Sequence, residues 1–175
     1  MRTMISYDEA VEILQTTPVC SLPSQKIIFT QAHNRYLAQD IFASKNVPPV
    51  PTSSMDGYAI ASADIETLRN EGLCIQATNN AGIKQEFHLE PKHTIRTYTG
   101  SRMPNGADTM ILREDIDEWQ SHGKEFIRLK NHNQVIKPKQ WVRQVGENYT
   151  KGQKLLESGT RITPFEIGLL ADLNQ

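Results

Sequence analysis

A proline-rich segment, Pro48-Pro-Val-Pro51, constrains the fold of this chain more than any other feature. Three prolines in four residues restrict the backbone and remove three amide donors, so the segment can be neither a helix nor a central strand. It leads through Thr-Ser-Ser-Met to Asp56-Gly57, where glycine permits the positive φ of a sharp turn. The arrangement predicts a stiff approach that presents the Asp56 carboxylate to water at a fixed position. The Asp-Gly pair alone favours an ordinary turn between strands.

Composition narrows the classes of protein that this chain can represent. Its 175 residues suffice for one ordinary domain or two small ones. The formal net charge of −1 argues against a nucleic-acid binder that depends on a positive field. The chain has no apolar stretch long enough to span a membrane, its first residues carry no apolar core typical of a signal peptide, and Cys20 and Cys74 form no metal-type pair. We therefore expect a cytoplasmic protein that contacts neither nucleic acid nor membrane.

Helices are predicted near both ends of the chain. The first begins at the N-cap Ser6, and its apolar residues repeat at helical spacing: Ala10, Val11, Ile13 and Leu14. That apolar face fits either docking on another domain or simple core packing. The last helix begins at the N-cap Thr163, followed by Pro164 and by Glu166, which completes a capping box. A short helical turn is also expected over residues 62–70.

Short β-rich segments bounded by turn residues occupy most of the remaining chain. The predicted strands are Lys26–Thr30, Leu73–Ala77, Glu86–Leu89, Thr94–Tyr98, Thr109–Arg113 and Glu125–Leu129. A hairpin is expected where residues 115–119 precede Ser-His-Gly. Strands at this spacing indicate a small sandwich or barrel. We interpret Trp119 and Trp141 as packing residues.

Two polar segments are candidate binding sites. In the loop from Tyr98 to Gly106, the donors Thr99, Ser101 and the Gly100 amide could hold an oxyanion, although a long hairpin connection explains the same residues. Further on, Arg143 offers a fork for phosphate or carboxylate, and Glu147 could orient it. A solvated salt-bridge surface is the alternative for that cluster.

Several motifs in the right order resemble one enzyme family. They are Pro48-Pro-Val-Pro-Thr-Ser-Ser-Met-Asp-Gly-Tyr-Ala59, His33-Asn-Arg-Tyr-Leu-Ala-Gln-Asp40, Tyr98-Thr-Gly-Ser-Arg-Met-Pro-Asn-Gly-Ala-Asp108, Val142-Arg-Gln-Val-Gly-Glu-Asn-Tyr-Thr-Lys-Gly152 and Gly159-Thr-Arg-Ile-Thr-Pro-Phe-Glu-Ile-Gly-Leu-Leu-Ala171. The sequence resembles the N-terminal region of the molybdopterin molybdenumtransferases, which include bacterial MoeA proteins and the E domain of gephyrin. It departs from the family at Asn34, where glycine is usual, and at Asn148, where aspartate follows Gly-Glu. Asparagine lacks the charge of aspartate, so a cation would bind less well there.

The resemblance implies a mainly β fold with a few short helices. The expected parts are an N-terminal helix over 1–23, an elongated β-hairpin region from 24–42 with 153–175, and an inserted small β-barrel or sandwich domain at 43–152. In the family, a pterin-binding α/β domain and a C-terminal β domain follow. A chain ending at Gln175 is therefore expected to be an N-terminal fragment without them.

The same resemblance implies a function for the complete protein. It would insert molybdenum from molybdate into adenylylated molybdopterin with Mg²⁺, in a homodimer whose protomers share each active site. The implied catalytic residue is Asp56, and the implied substrate-binding residues are Ser54, Thr99, Gly100, Arg143 and Asn148; no metal ligand is assigned in this region. Molybdopterin adenylyltransferase is a further implied partner. The alternative is a non-catalytic dimerisation or scaffold module, as gephyrin's architecture allows, and the fragment alone is expected to be inactive.

Overall fold

The computed structural model describes residues 4–18, 22–82 and 85–174, so Cys20 and Gln175 lie outside the described residues. The chain divides into two compact units, residues 1–39 with 158–175, and residues 40–157. The predicted boundaries after residues 42 and 152 are near this division, and the predicted three-part arrangement stays a prediction. Among the described residues, no helix has the length and apolar character needed to cross a membrane.

The elements confirm a mainly β fold with three short helices. The helices are α1 (Tyr7–Thr16), α2 (Ile65–Asn70) and α3 (Pro164–Leu173). The strands are β1 (Ile41–Phe42), β2 (Thr52–Ser53), β3 (Gly57–Ile60), β4 (Leu73–Asn79), β5 (His93–Thr97), β6 (Thr109–Leu112), β7 (Ile116–Ser121), β8 (Lys124–Leu129), β9 (Val142–Arg143) and β10 (Lys154–Leu156). Short 3₁₀ turns cover Phe29–Gln31, Ser62–Asp64 and Arg113–Asp115.

A six-stranded sheet forms the centre of the larger unit. Its strand order is β6-β3-β5-β4-β8-β7, and β4 with β5 is its one parallel pair among the described strands. The sheet curls into a half-barrel instead of closing. Its core is apolar and fully or nearly fully buried, with Tyr58, Ile60, Leu68, Leu73, Ile111, Ile116, Ile127, Leu129 and Ile136 packed together. Strand β3 lies between β6 and β5 and is buried along its whole length.

Two small sheets lie within the larger unit, beside the six-stranded sheet in the chain order. Strand β1 pairs with β10, and β2 pairs with β9, both in antiparallel register. In the smaller unit, the segment at Tyr36 bridges Arg161, and the Leu37 amide donates to the Thr160 carbonyl at 2.9 Å. In each unit, therefore, a segment from the earlier part of the chain pairs through its backbone with a segment from the later part.

The predicted helix starts at Ser6 and Thr163 are confirmed. They were predictable because capping depends on residues close in sequence. The Ser6 side chain accepts a hydrogen bond from the Glu9 amide at 3.2 Å. At α3, the capping box of Thr163 and Glu166 is complete, and Pro164 occupies the first turn. The predicted helical turn near residues 62–70 is also present, and Gly72 follows it with φ +88°.

Two of the predicted strands are wrong, whereas the predicted hairpin is present. Lys26–Thr30 is no strand: it has no pairing partner among the described residues, and the chain turns at Phe29–Gln31 instead. Glu86–Leu89 forms a single bridge, from His88 to Asn105. The β7–β8 hairpin is confirmed, with positive φ at His122 and Gly123 in its two-residue turn.

The two tryptophans differ in their packing. Trp119 stacks on Phe126 with ring centroids 5.4 Å apart, as predicted for a packing residue. The same interpretation is wrong for Trp141, which is 46% exposed and adopts φ +59°. A left-handed conformation is uncommon for a bulky residue, because its Cβ approaches the neighbouring carbonyl.

Candidate active site

The Asp56 carboxylate lies directly before the first residue of the buried strand β3. Gly57, the first residue of that strand, pairs with Thr97 of β5 on one side and with Leu112 of β6 on the other. Asp56 is exposed to solvent, and the next residue, Gly57, is buried between the two neighbouring strands. The ends of two neighbouring strands therefore flank the carboxylate, and the residues that follow β5 and β6 are placed to contact it.

Thr99, which follows β5, holds one oxygen of the carboxylate. Its amide and its hydroxyl both donate to Asp56 Oδ1, at 2.8 and 2.7 Å. The hydroxyl hydrogen bond, followed by the amide one, lowers the pKa of Asp56 below its ordinary range. The carboxylate is therefore ionised at neutral pH, and its second oxygen, Oδ2, accepts none of the hydrogen bonds found among the described residues.

Gly57 is required by close packing and does not supply a positive φ. A Cβ atom at this position would lie 1.9 Å from the Ile111 carbonyl oxygen. Its φ is outside the left-handed range, so the predicted sharp turn at Gly57 is wrong. The glycine instead allows β6 to approach β3 closely, which brings the end of β6 next to Asp56.

The segment before Asp56 is fixed by its own hydroxyl groups. The buried Ser53 hydroxyl donates to the Met55 carbonyl at 2.6 Å. The Ser54 amide and hydroxyl both donate to the Trp141 carbonyl, at 3.0 and 2.8 Å. The hydroxyl hydrogen of Ser54, a predicted substrate-binding residue, is thus used to fix the backbone two residues before the carboxylate.

The Thr99–Ser101 loop does not present the predicted set of free donors. The Gly100 amide donates to the Ser53 carbonyl at 2.9 Å, and the buried Ser101 hydroxyl donates to the Asn79 carbonyl at 3.3 Å. Because these hydrogens are used inside the fold, the interpretation of Gly100 and Ser101 as oxyanion donors is corrected. The donors of Thr99 are directed at Asp56 in the same way, which makes it a positioning residue.

Arg143 and Asn148 form a separate cluster with Glu147. Arg143 donates from Nε to Glu147 Oε1 at 3.1 Å and from Nη2 to the Asn148 side-chain oxygen. The Arg143 hydrogen bond, together with that from the Gln144 amide, lowers the pKa of Glu147. Arg143 lies opposite Thr52 in the β2–β9 pair, so the cluster supports the strand that leads to the Asp56 segment. Within the described residues, no hydrogen bond or ion pair joins it to Asp56.

Arg113 also lies next to Asp56, although none of the sequence motifs indicated it as a site residue. It follows β6, and its amide donates to the Asp56 carbonyl at 3.3 Å. Its charge also contributes to the lowered pKa of Asp56, after the two Thr99 hydrogen bonds. The pairing register of β3 with β6 produces this neighbourhood, and short-range sequence patterns do not reveal a register between distant strands.

The described residues do not fit a complete cation site in this part of the protein. Among them, no group of three or more His, Cys, Asp or Glu side chains is arranged to hold a metal ion. Mg²⁺ prefers several oxygen ligands, and Asp56 is flanked by a threonine and an arginine. A neighbouring guanidinium disfavours a cation at the carboxylate.

Comparison with known proteins identifies the family. The family described as the MoeA N-terminal region, domains I and II, matches residues 5–173. The chain belongs to the MoeA N-terminal family. It is 33% identical to a molybdopterin molybdenumtransferase from Bacillus subtilis and 31% identical to one from Haemophilus influenzae, over 97% of this chain in each case.

Solved MoeA structures share this architecture. A molybdopterin biosynthesis MoeA protein from Pyrococcus horikoshii OT3 superposes with a TM-score of 0.74 at 27% identity, covering 86% of this chain and 38% of that one. The MoeA-family chain described here spans 39% and 40% of the lengths of the Bacillus and Haemophilus relatives. It is therefore homologous to the N-terminal part of molybdopterin molybdenumtransferases, which are enzymes of molybdenum cofactor biosynthesis.

Proposed function

We propose that the complete protein containing this region transfers molybdenum from molybdate to adenylylated molybdopterin and releases AMP. The main support is membership of the MoeA N-terminal family, together with relatives named molybdopterin molybdenumtransferase. In this proposal the region described here forms one wall of the active site and carries Asp56. The remaining contacts to the pterin are made by parts of the protein outside this chain.

Asp56 is the residue to which we assign the essential role. Its Oδ1 is held by Thr99 and its Oδ2 is available to a substrate. The lowered pKa makes the carboxylate a weak proton acceptor, because efficient general bases have pKa values near the working pH. We therefore propose that Asp56 orients a substrate or a water through Oδ2 and does not act as a general base.

The supporting residues keep that carboxylate in place. Thr99 fixes its rotamer, and Ser54 fixes the preceding backbone through Trp141. Arg143 and Asn148 support strand β2 from the neighbouring β9. A positioning error of about 1 Å in a catalytic group can cost roughly 100-fold in rate, which is why these indirect contacts matter to turnover.

The cofactor, partners and location belong to the complete enzyme. Mg²⁺ is the proposed cofactor, held mainly by residues outside this chain. A homodimer that completes the site, a molybdopterin adenylyltransferase that supplies the adenylylated substrate, and a cytoplasmic location complete the proposal.

The test is a molybdenum-insertion assay on the product of the complete gene. With adenylylated molybdopterin, molybdate and Mg²⁺, we expect formation of the molybdenum cofactor with equimolar AMP. Asn148→Asp restores the charge that is usual in the family beside Arg143, and its turnover relative to the wild type measures the contribution of that charge. Absence of molybdenum insertion by a folded wild-type protein would support the non-catalytic scaffold alternative.

A further inference from the structure

Arg113 lies opposite Asp56 across the ladder between β3 and β6. Gly57 pairs with Leu112 in antiparallel register, so the next pair toward the strand ends is Asp56 with Arg113. The hydrogen bond from the Arg113 amide to the Asp56 carbonyl, 3.3 Å long, agrees with that register. Directly opposite residues of an antiparallel pair project to the same face, with Cβ atoms about 5 Å apart. The carboxylate and the guanidinium therefore share one exposed face.

The Arg113 guanidinium makes no side-chain hydrogen bond or ion pair within the described part of the chain, and the residue is exposed. Its charge acts over a longer distance on two carboxylates, those of Asp56 and Glu118. Other arginines of the same unit are paired: Arg96 with Glu118 at 2.7 Å, Arg102 with Glu86 at 2.6 Å, and Arg143 with Glu147 at 3.1 Å. The five N–H donors of Arg113 are therefore available beside the Asp56 carboxylate, whose Oδ1 is already held by Thr99.

This combination favours an anion over a cation. The planar guanidinium matches the oxygens of a phosphate or of another tetrahedral oxyanion. Asp56 Oδ2 can accept a hydrogen bond from a protonated oxygen or a water on the same ligand. Without Arg113, the ionised Asp56 would repel an approaching anion, and with it the two charges offset each other.

We propose that Arg113 is an anion-binding residue of the Asp56 site and that its ligand is a tetrahedral oxyanion. The inference rests on the proposed function for the identity of that oxyanion, which is either molybdate or a phosphate group of the pterin substrate. It makes Asp56 a hydrogen-bond acceptor beside a bound anion and not a direct ligand of a cation.

The test measures anion binding by the 175-residue chain itself. The Nε–Hε groups of the arginines are observed by ¹⁵N NMR while sodium molybdate or sodium phosphate is added. Sodium chloride at equal ionic strength is the control for screening. We expect the Arg113 signal and the Thr99 amide signal to shift saturably with at least one oxyanion. Saturation with molybdate alone identifies the metal oxyanion as the ligand, and saturation with phosphate identifies the phosphate group.

Matched variants decide whether Arg113 is responsible. Arg113→Gln should weaken the binding reported by the Thr99 amide about fivefold, and Arg113→Lys should restore part of it. Arg35→Gln is the control, because Arg35 is also exposed and makes no side-chain ion pair among the described residues. The proposal is wrong if Arg113 responds no more than Arg35, or if chloride reproduces the shifts.

A charge variant separates this inference from the proposed function. Asp56→Asn removes the negative charge beside Arg113, so we expect anion binding to tighten about threefold at low salt and less at high salt. Weaker binding in Asp56→Asn would contradict the inference. Because no turnover is measured, failure of the insertion assay would leave this result unchanged, and failure here would leave the enzymatic proposal unchanged.

Discussion

Thr99 donates two hydrogens to the same oxygen of Asp56, one from its backbone and one from its side chain. The two bonds join the loop after β5 to the end of β3, and they fix the orientation of an exposed carboxylate. An exposed aspartate would otherwise sample several rotamers. Precise placement here is achieved by hydrogen bonding, without burial of the charge.

Replacing the Thr99 hydroxyl should raise the pKa of Asp56. Thr99→Val removes the larger of the two causes of the lowered pKa and keeps the amide hydrogen bond. Because the folded pKa is depressed, the stability linked to Asp56 is present above its unfolded pKa and is lost as pH falls through the folded value. Carboxyl ¹³C NMR titration should show a higher pKa and a shallower acid dependence in Thr99→Val. An unchanged pKa would show that the hydroxyl bond is not maintained in solution.

Adding a methyl group at Gly57 should disrupt the pairing of β3 with β6. Gly57→Ala places Cβ 1.9 Å from the Ile111 carbonyl oxygen, so β3 and β6 must separate. We expect a loss of about 3 kcal/mol in the free energy of unfolding, measured by urea denaturation with tryptophan fluorescence. Gly168→Ala in α3 is the control, since its Cβ meets nothing within 4 Å and should gain about 0.8 kcal/mol. Equal stability of Gly57→Ala and the wild type would contradict this packing.

A polar network across the curled sheet should contribute acid-sensitive stability. The buried Tyr58 donates from its hydroxyl to Glu118, which also pairs with Arg96 at 2.7 Å. The Tyr58 hydrogen bond is the main reason that the pKa of Glu118 is lowered. Its stabilisation is therefore present above the unfolded glutamate pKa and disappears as pH falls through the lower folded value.

The corresponding variant is Tyr58→Phe, which keeps the ring and removes the hydroxyl. We expect a loss of about 1 kcal/mol near neutral pH and a smaller loss once Glu118 is protonated. Urea denaturation at a series of pH values measures both quantities. A loss that is the same at all pH values would assign the effect to packing and not to the network.

Trp141 is expected to carry backbone strain. Its φ of +59° is unfavourable for every residue with a Cβ atom, so Trp141→Ala keeps the strain and Trp141→Gly removes it. The glycine variant should therefore be about 1 kcal/mol more stable than the alanine variant, although both lose the same indole ring. If alanine proves the more stable of the two, the left-handed conformation is not populated in solution.

Local features of this fold were predictable and long-range features were not. The caps at Ser6 and Thr163 and the hairpin turn at His122-Gly123 depend on residues a few positions apart. The segment Lys26–Thr30 has the composition of a strand, yet a strand also needs a partner, and that information is not local.

The candidate site shows the same limit. The motifs indicated Asp56 and Thr99, which the structure brings together, but they gave no sign that Arg113 completes the neighbourhood. Gly57 was interpreted through its torsional freedom, whereas the close approach of β6 explains it. Both depend on the register between β3 and β6, which residues distant in sequence determine together.

The most direct test of the account compares Asp56→Asn with the wild type in the molybdenum-insertion assay, using the product of the complete gene. Asparagine keeps the shape of the side chain and can still accept the Thr99 hydrogen bonds, so the fold should be preserved. Because the carboxylate orients the substrate or a water, we predict that the rate of molybdenum insertion falls about 100-fold. A folded Asp56→Asn protein with the wild-type rate would contradict the assignment of this carboxylate to the active site.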